Sequence, residues 1–320
     1  MKYRTLGQTD LKASCICLGT MQFGWTASEE ASYQVLDAFF EAGGNFIDTA
    51  NMYSSWTPKS YGGRAEEIIG QWMARRKNRD KIVLATKVRG KMWEGSDGEG
   101  LHRDHILPAL EGSLQRLKTD HVDLYQTHWS DSDVPHEDTL QTLDDVMRQG
   151  KVRHVGCSNY SAKELGESLR ASKKKGVIRF ESHQPYYNLI DREDFEQELL
   201  GLCQNEGIGI IPYSPIAQGF LTGKYDRRKP PPDSDRAKGV KEKFWTDRAF
   251  KILDQVREEA ASLSTSPTAV ALAWLLANPV ITAPIIGANT PNQLQASLDA
   301  AELNLPKDKK AALDRVSAWQ

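Results

Sequence analysis

The sequence predicts an α/β fold of the (β/α)8 TIM barrel kind, one domain over residues 1–320 with a long loop after strand seven. Three observations predict it. Short apolar runs of β-branched character recur along the chain, a longer amphipathic stretch follows each, and no break in composition divides the whole. Parallel neighbours need helical crossovers, and closing the sheet removes both edges. At 320 residues the chain has the length of about two domains of ~150 residues, but such a barrel runs to ~250 residues or more as one unit.

The candidate strands are residues 14–18, 45–48, 81–87, 122–128, 152–158, 179–184, 209–213 and 281–287. Between them lie helical patterns over 29–42 behind Ser28, 65–75, 104–117, 139–149, 162–174, 194–205, and 267–277 behind Ser266. Ser266-Pro267 and Thr290-Pro291 carry the clearest start signal, a hydroxyl N-cap before a proline in the first helical position. A doubly wound open sheet is the runner-up. It would normally place G-x-G-x-x-G after its first strand, where Gly19-Thr-Met-Gln-Phe-Gly24 stands instead, and no Walker-type G-x-x-x-x-G-K-[ST] occurs. The stretch 222–245, with Lys224, Arg227, Arg228, Lys229 and Pro230-Pro-Pro232, is too polar for core and too long for an ordinary connection. It reads either as a solvated surface loop or as a mobile lid over an anionic ligand.

Composition narrows the function classes. Lys+Arg 41 against Asp+Glu 43 leaves a formal charge of −2, so no long-range field gathers nucleic acid or an anionic membrane. The four cysteines, Cys15, Cys17, Cys157 and Cys203, form no C-x-x-C pair and read as reduced thiols. No run approaches the ~20 apolar residues of a membrane span, and the first ten residues lack the apolar core of a secretory signal. The expectation is a cytoplasmic protein. The seven histidines include His102 and His105, read as surface residues, but no H-E-x-x-H or Cys/His spacing supports a metal, so none is expected.

In such a barrel the site lies at the carboxyl ends of the strands. Asp48 and Tyr53 follow strand two in Asp48-Thr-Ala-Asn-Met-Tyr53, Lys87 ends strand three, and His128 closes strand four. Singly each has an ordinary explanation: a turn cap, a packing aromatic, a snorkelling lysine. Together they suit one task, protonation of a carbonyl oxygen as hydride arrives at its carbon. A phenol with its usual pKa of ~10 is a poor acid at neutral pH, and a nearby ammonium is expected to lower that value. Asp48 would hold Lys87 charged, and His128 suits a neutral donor that orients the carbonyl.

These residues carry a family resemblance over nearly the whole chain: Leu18-Gly-Thr20, Gly44-Asn-Phe-Ile-Asp-Thr-Ala50, Asp123-Leu-Tyr-Gln-Thr-His128, Gly156-Cys-Ser-Asn159 and Ile285-Ile-Gly-Ala288. The sequence resembles the aldo-keto reductases, bacterial members near the branch that includes potassium-channel β subunits. The resemblance implies Tyr53 as general acid, Lys87 and Asp48 as its tuning pair, His128 as the orienting group, and a nicotinamide dinucleotide, NADP(H) more than NAD(H), bound without a Rossmann fold. It further implies Ser158, Asn159 and Gln184 for the carboxamide of the nicotinamide and Tyr213 for stacking on its ring. Ser214, Pro215, Gln218, Gly219, Leu221 and Lys224 match the segment around the pyrophosphate, and Gly287, Asn289, Thr290 and Gln293 the adenosine-phosphate site. There the physics agrees independently, since Gly287-Ala-Asn-Thr-Pro291 opens a helix whose free N–H groups favour an anion. Asn289 stands where many relatives carry a basic residue and Ser297 where many carry asparagine; Lys224, Arg227 and Gln293 are the candidate partners of a 2′-phosphate.

Trp25, Trp56, Trp93 and Trp129 fall just after strands one to four and form the expected substrate pocket, an apolar slot for an aromatic aldehyde or a stacking surface for a sugar-derived ketone. Trp72 and Trp274 sit in helical patterns and read as core. The expected function is reduction of aldehydes or ketones to alcohols by direct hydride transfer. The alternatives are a nicotinamide-binding redox sensor or accessory subunit with little turnover, and hydrolase or isomerase chemistry on the same barrel. The expected partner is a small carbonyl or sugar-derived molecule, with no nucleic acid and no membrane; family members range from monomers to larger rings, so a homo-oligomer is within expectation.

Overall fold

The computed structural model describes residues 1–58, 62–230, 232 and 237–319. A short antiparallel hairpin of β1 (Tyr3–Thr5) and β2 (Lys12–Ser14) comes first. Then follow β3 (Cys17–Gly19), α1 (Glu29–Glu41), β4 (Phe46–Asp48), α2 (Arg64–Arg76), β5 (Val83–Val88), α3 (Arg103–Leu117), β6 (Val122–Thr127), α4 (His136–Arg148), β7 (Val152–Ser158), α5 (Ala162–Lys175) and β8 (Ser182–Gln184). After β8 a π-helical turn over Phe195–Leu199 runs into α6 (Leu200–Glu206), and β9 (Gly209–Ile210) follows. A 3-10 stretch over Ala217–Thr222, α7 (Ala237–Phe244), α8 (Asp247–Ser262), α9 (Pro267–Leu276), β10 (Ile285–Ile286), α10 (Pro291–Glu302) and α11 (Lys307–Val316) complete the chain. None of the helices is long and apolar enough to cross a membrane among the described residues.

The eight strands β3 to β10 form one parallel sheet in the order β10-β3-β4-β5-β6-β7-β8-β9. Every residue of β5 and β6 is buried, as expected of parallel strands covered on both faces. The helix starts follow their side-chain chemistry: Ser28, Ser266 and Thr290 accept backbone N–H bonds at α1, α9 and α10, and Ser161 with Glu164 closes a capping box on α5. Full barrel closure is where the sheet departs from expectation. Seven seams carry parallel ladders, whereas β9 meets the segment before β10 through a single bridge, Ile210 to Ile281, and a few hydrogen bonds, among them Thr282 N to Ile210 O at 2.7 Å and Ile285 N to Pro212 O at 2.8 Å. Pro212 and Pro284 lie on this seam and have no N–H to give a ladder, so β9 and β10 shrink to two residues each where the sequence suggested 209–213 and 281–287.

Two further expectations change. Ser14 belongs to the hairpin rather than to the first barrel strand, and the hairpin buries Leu6, Leu11 and Ala13 against Cys17, Phe46, Val83, Ala85, Leu124, Ile211, Ala283 and Ile285 inside the sheet. It thereby plugs the amino-terminal end of the strands. The polar stretch after β9 is also not simply a loop. It contains α7, with Val240 and Phe244 buried, and Phe220 packs on Tyr225, Phe244 and Phe250 at ring distances of 5.5, 5.7 and 5.2 Å. The apolar residues are spaced too far apart among charges for a run to be visible. Positions 231 and 233–236 of that stretch lie outside the described residues.

A buried carboxylate locks α2 to the strand that carries Lys87. Glu66 accepts the Thr86 hydroxyl at 2.5 Å and pairs with Arg116 Nε at 2.8 Å while itself 0% exposed. α2 and α3 touch backbone to backbone beside it, because a Cβ on Gly70 would sit 2.2 Å from the Arg116 carbonyl oxygen. Gly70→Ala sets a gain of ~1 kcal/mol in helix propensity against that collision, and the collision is with backbone that cannot rotate away. The expected outcome is a net loss of roughly 1–3 kcal/mol, read as a lower urea midpoint with unchanged slope; a raised midpoint would show that the helices can separate freely.

Candidate active site

Side-chain alternation along the strands builds the site from the core upward. Phe46, Ala85, Leu124 and Ile211 point into the apolar interior, and two residues further along the same strands or their extensions stand Asp48, Lys87, Gln126 and Tyr213. The register sets Lys87 opposite Gln126, and Ser158 opposite Gln184. A polar layer therefore lies directly on an apolar one at the carboxyl end of the sheet.

At its centre the Lys87 ammonium, 0% exposed, donates to Asp48 Oδ2 at 2.5 Å, to the Thr49 carbonyl at 2.9 Å and to Tyr53 Oη at 3.0 Å. Asp48 Oδ1 accepts from Gln126 Nε2 at 2.9 Å and Gln184 Nε2 at 3.1 Å. Burial alone would strip the lysine of its proton, but the Asp48 carboxylate and the Tyr53 oxygen outweigh it and hold the ammonium above the usual lysine range. The phenol of Tyr53 corrects a sequence expectation. Burial pushes it above its ordinary value; the Lys87 cation pulls the other way and Asp48 adds to the rise, so the net shift is upward. His128 lies beside it, ring centroids 5.9 Å apart, and burial, reinforced by the Lys87 charge, holds its imidazole well below the usual range and so neutral. All four residues expected to act together are thus brought together.

The cofactor candidates fall into two groups. Next to the tetrad, Asn159 at φ 57° donates to the His128 carbonyl at 2.9 Å and accepts from Tyr213 Oη at 2.9 Å, while Ser158 Oγ donates to the Gln184 carbonyl at 2.9 Å. Gln184 turns its amide nitrogen to Asp48 and to Gln126 Oε1 at 3.2 Å, so it also supports the tetrad. Farther out, Ser214, Ala217, Gln218 and Gly219 have φ of 52°, 49°, 56° and 94°, a coiled backbone of the kind that makes concave anion sites, with Pro215 and Leu221 buried beneath. Lys224 stands beside that coil, its Nζ 3.8 Å from where a Cβ on Gly219 would be. Beyond Gly287 the start of α10 is tied in on itself: Gln293 Oε1 accepts the Asn289 N–H at 2.8 Å and Thr290 caps the helix. Arg227 is committed to Asp247 at 2.7 Å, so of the three phosphate candidates Lys224 is the one placed at the coil.

Of the pocket tryptophans, Trp25 meets Trp56 at 5.7 Å, Trp56 meets Tyr53 at 6.1 Å, and Trp129 lies 4.8 Å from His128. Trp93 instead packs on His105 at 4.9 Å, and His105 is fully buried rather than at the surface, its Nδ1 against the Asp97 carbonyl at 2.8 Å. Trp72 and Trp274 are core residues. Sequence reasoning missed Gln126, whose signal was available: it lies two residues before His128 on one strand and so faces the same way. It also missed Gln22 and Thr26, which bind the Ala288 carbonyl and Asn289 Oδ1, both at 3.0 Å, and Arg89 beside Trp129. Nothing in the local sequence marks the first two, whose partners are more than 260 residues away.

Comparison with known proteins shows the family. The model of the "Aldo/keto reductase family" matches residues 15–318. An uncharacterized oxidoreductase of Bacillus subtilis (strain 168), YrpG, is 36% identical over 96% of this chain and 93% of its own length. A probable voltage-gated potassium channel subunit beta of Oryza sativa subsp. japonica is 31% identical over 99% of this chain and 96% of its own, and the protein tas of Escherichia coli (strain K12) is 31% identical over 99% and 97%. With a family match over nearly its full length and a lysine, aspartate, tyrosine and histidine gathered at the carboxyl end of a parallel sheet, the chain belongs to the aldo/keto reductases, a family of nicotinamide-linked oxidoreductases.

Proposed function

We propose that the protein reduces an aldehyde or ketone of a small carbonyl or sugar-derived substrate to the alcohol, with NADP(H) as cofactor and Tyr53 as the proton donor. The observation that carries this reading is the position of Lys87 Nζ, bonded at once to Asp48 and to Tyr53 Oη in a buried site. Ser158, Asn159, Gln184 and Tyr213 adjoin that site and offer the amide, hydroxyl and aromatic groups that suit a carboxamide-bearing ring. A nicotinamide dinucleotide bound there supplies the hydride.

The protein's own residues handle the proton. Tyr53 holds it on Oη, since burial keeps the phenol protonated at neutral pH. As negative charge grows on the substrate oxygen, the Lys87 ammonium 3.0 Å away stabilises the phenolate left behind, and Asp48 keeps that ammonium charged and aimed. His128, neutral, donates a hydrogen bond that orients the carbonyl without competing for the proton. Trp25, Trp56 and Trp129 give the reacting atoms an aromatic, uncharged surround.

An accessory or sensing role is the second reading, favoured by the 31% identity with potassium channel β subunits of rice and Arabidopsis thaliana over 99% of this chain. It would appear as tight cofactor binding with negligible turnover on a panel of carbonyls.

For the reductase, Tyr53→Phe is expected to lower kcat by ~10²-fold or more and leave NADPH affinity within about twofold, because the hydroxyl acts on the substrate oxygen. Unchanged turnover would sink the mechanism. The pH profile follows from the two shifts. A donor whose pKa lies above ~10 stays protonated throughout the neutral range, and an imidazole far below ~6.5 stays neutral there, so kcat for reduction should be flat from about pH 6 to 9 and fall only above. An acid limb near pH 6.5 would contradict the neutral His128. Lys224→Met should raise the KM for NADPH by roughly tenfold and that for NADH far less, if the lysine meets the 2′-phosphate; equal effects would assign it to the pyrophosphate.

A further inference from the structure

Arg89 stands at the mouth of the site and takes no part in the chemistry described so far. It follows directly on β5, two residues beyond Lys87, where the Val88 carbonyl accepts the His128 N–H at 2.9 Å. The next residue, Gly90, is pressed against Met52, since a Cβ there would lie 2.3 Å from the Met52 sulfur, so the Arg89 loop abuts the residue that precedes Tyr53. Its backbone is held at φ 122°, a region that side chains other than glycine avoid and that persists only where the surroundings enforce it. The guanidinium carbon lies 4.9 Å over the ring of Trp129, itself 4.8 Å from His128.

The guanidinium, its side chain 24% exposed, is only loosely satisfied. Nε is fully buried with no acceptor among the described residues, and the one carboxylate paired with the guanidinium there is Glu99, 4.0 Å from Nη1 and 57% exposed. The contrast with Lys87 is informative: that cation has a carboxylate at 2.5 Å and two further acceptors. Five N–H donors in a planar fork, laid against an aromatic wall with one loose partner among the described residues, suit a planar or tetrahedral oxyanion.

We propose that Arg89 is a specificity-determining residue that binds an anionic group, carboxylate or phosphate monoester, on the carbonyl substrate, with Trp129 carrying the body between that group and the reacting carbon. This rests on the reductase reading for the carbonyl, but the anion site is tested separately from it. Benzoate, phenyl phosphate and uncharged benzamide are titrated calorimetrically into the protein loaded with NADP+, which occupies the cofactor's own anion sites. Benzoate or phenyl phosphate should bind at least about tenfold more tightly than benzamide, and the tighter of the two identifies the anion. Arg89→Met, which keeps a chain on Trp129, should abolish that preference, Arg89→Lys should keep part of it, and Glu99→Gln, which frees the fork, should strengthen it by a few fold. Turnover gives the parallel readout: the KM for 4-carboxybenzaldehyde should rise about tenfold or more in Arg89→Met, while kcat and the KM for methyl 4-formylbenzoate stay as in the parent. Equal or absent binding of anion and amide, or an equal loss of both in Arg89→Met, overturns the proposal. An anion preference without reduction of either aldehyde would leave the anion site standing and remove the reductase reading instead.

Discussion

The buried ammonium of Lys87 is the constraint around which the rest of the site is arranged. A cation with no exposed surface persists only if charge and hydrogen bonds replace the water it has lost. Asp48 supplies the charge, Thr49 a carbonyl and Tyr53 a hydroxyl, from a strand end and the loop after it. The carboxylate in turn is held by Gln126 and Gln184, from two further strands. One ion pair thereby ties β4, β5, β6 and β8 at the same level, and that level is set by the register of parallel ladders beneath. The same pairing that makes burial of the lysine tolerable also delivers its positive charge to the phenol.

Two sides of the mouth then differ in chemistry. Toward Trp25 and Trp56 the wall is aromatic and uncharged, and Tyr53 is its innermost member. Toward Trp129 it ends on Arg89, which follows Lys87 on the same strand end. Between them lie the Tyr53 hydroxyl and the neutral imidazole of His128, with the Arg89 cation to one side. On the proposed anion site, asymmetry of this kind would set which way round a substrate lies, because reversal would place its anion against tryptophan and away from the guanidinium.

The alternation of apolar runs and amphipathic stretches made the parallel α/β sheet legible, and the strand-end positions of Asp48, Tyr53, Lys87 and His128 made the tetrad legible, since both are local patterns with fixed periods. What stayed hidden depends on partners distant in sequence. The hairpin over Tyr3–Ser14 shows its purpose only against Phe46, Val83 and Ile285 in the folded sheet. Pro212 and Pro284 look innocuous alone, and their effect arises because they face each other's segments across one seam. The upward shift of the Tyr53 phenol likewise follows from the extent of burial, which no charge count along the chain can supply.

The segment after β9 is tied together by aromatic packing and one cation. Its coil at 214–219 is backed by Phe220, which anchors into the ring cluster of Tyr225, Phe244 and Phe250, and α7 reaches back across it: Lys243 lies 3.8 Å over the ring of Tyr186 and 3.5 Å from Asp191. Tyr186 in turn packs on Tyr213 at 5.3 Å, so Tyr213 and the coil are bound to one another through α7. Under the proposed function, fast turnover and slow sensing could therefore share one tetrad: Lys87, Tyr53 and His128 would set the chemical step, whereas the packing around Phe220, Phe244 and Lys243, in a separate and later part of the chain, would set how long a cofactor stays.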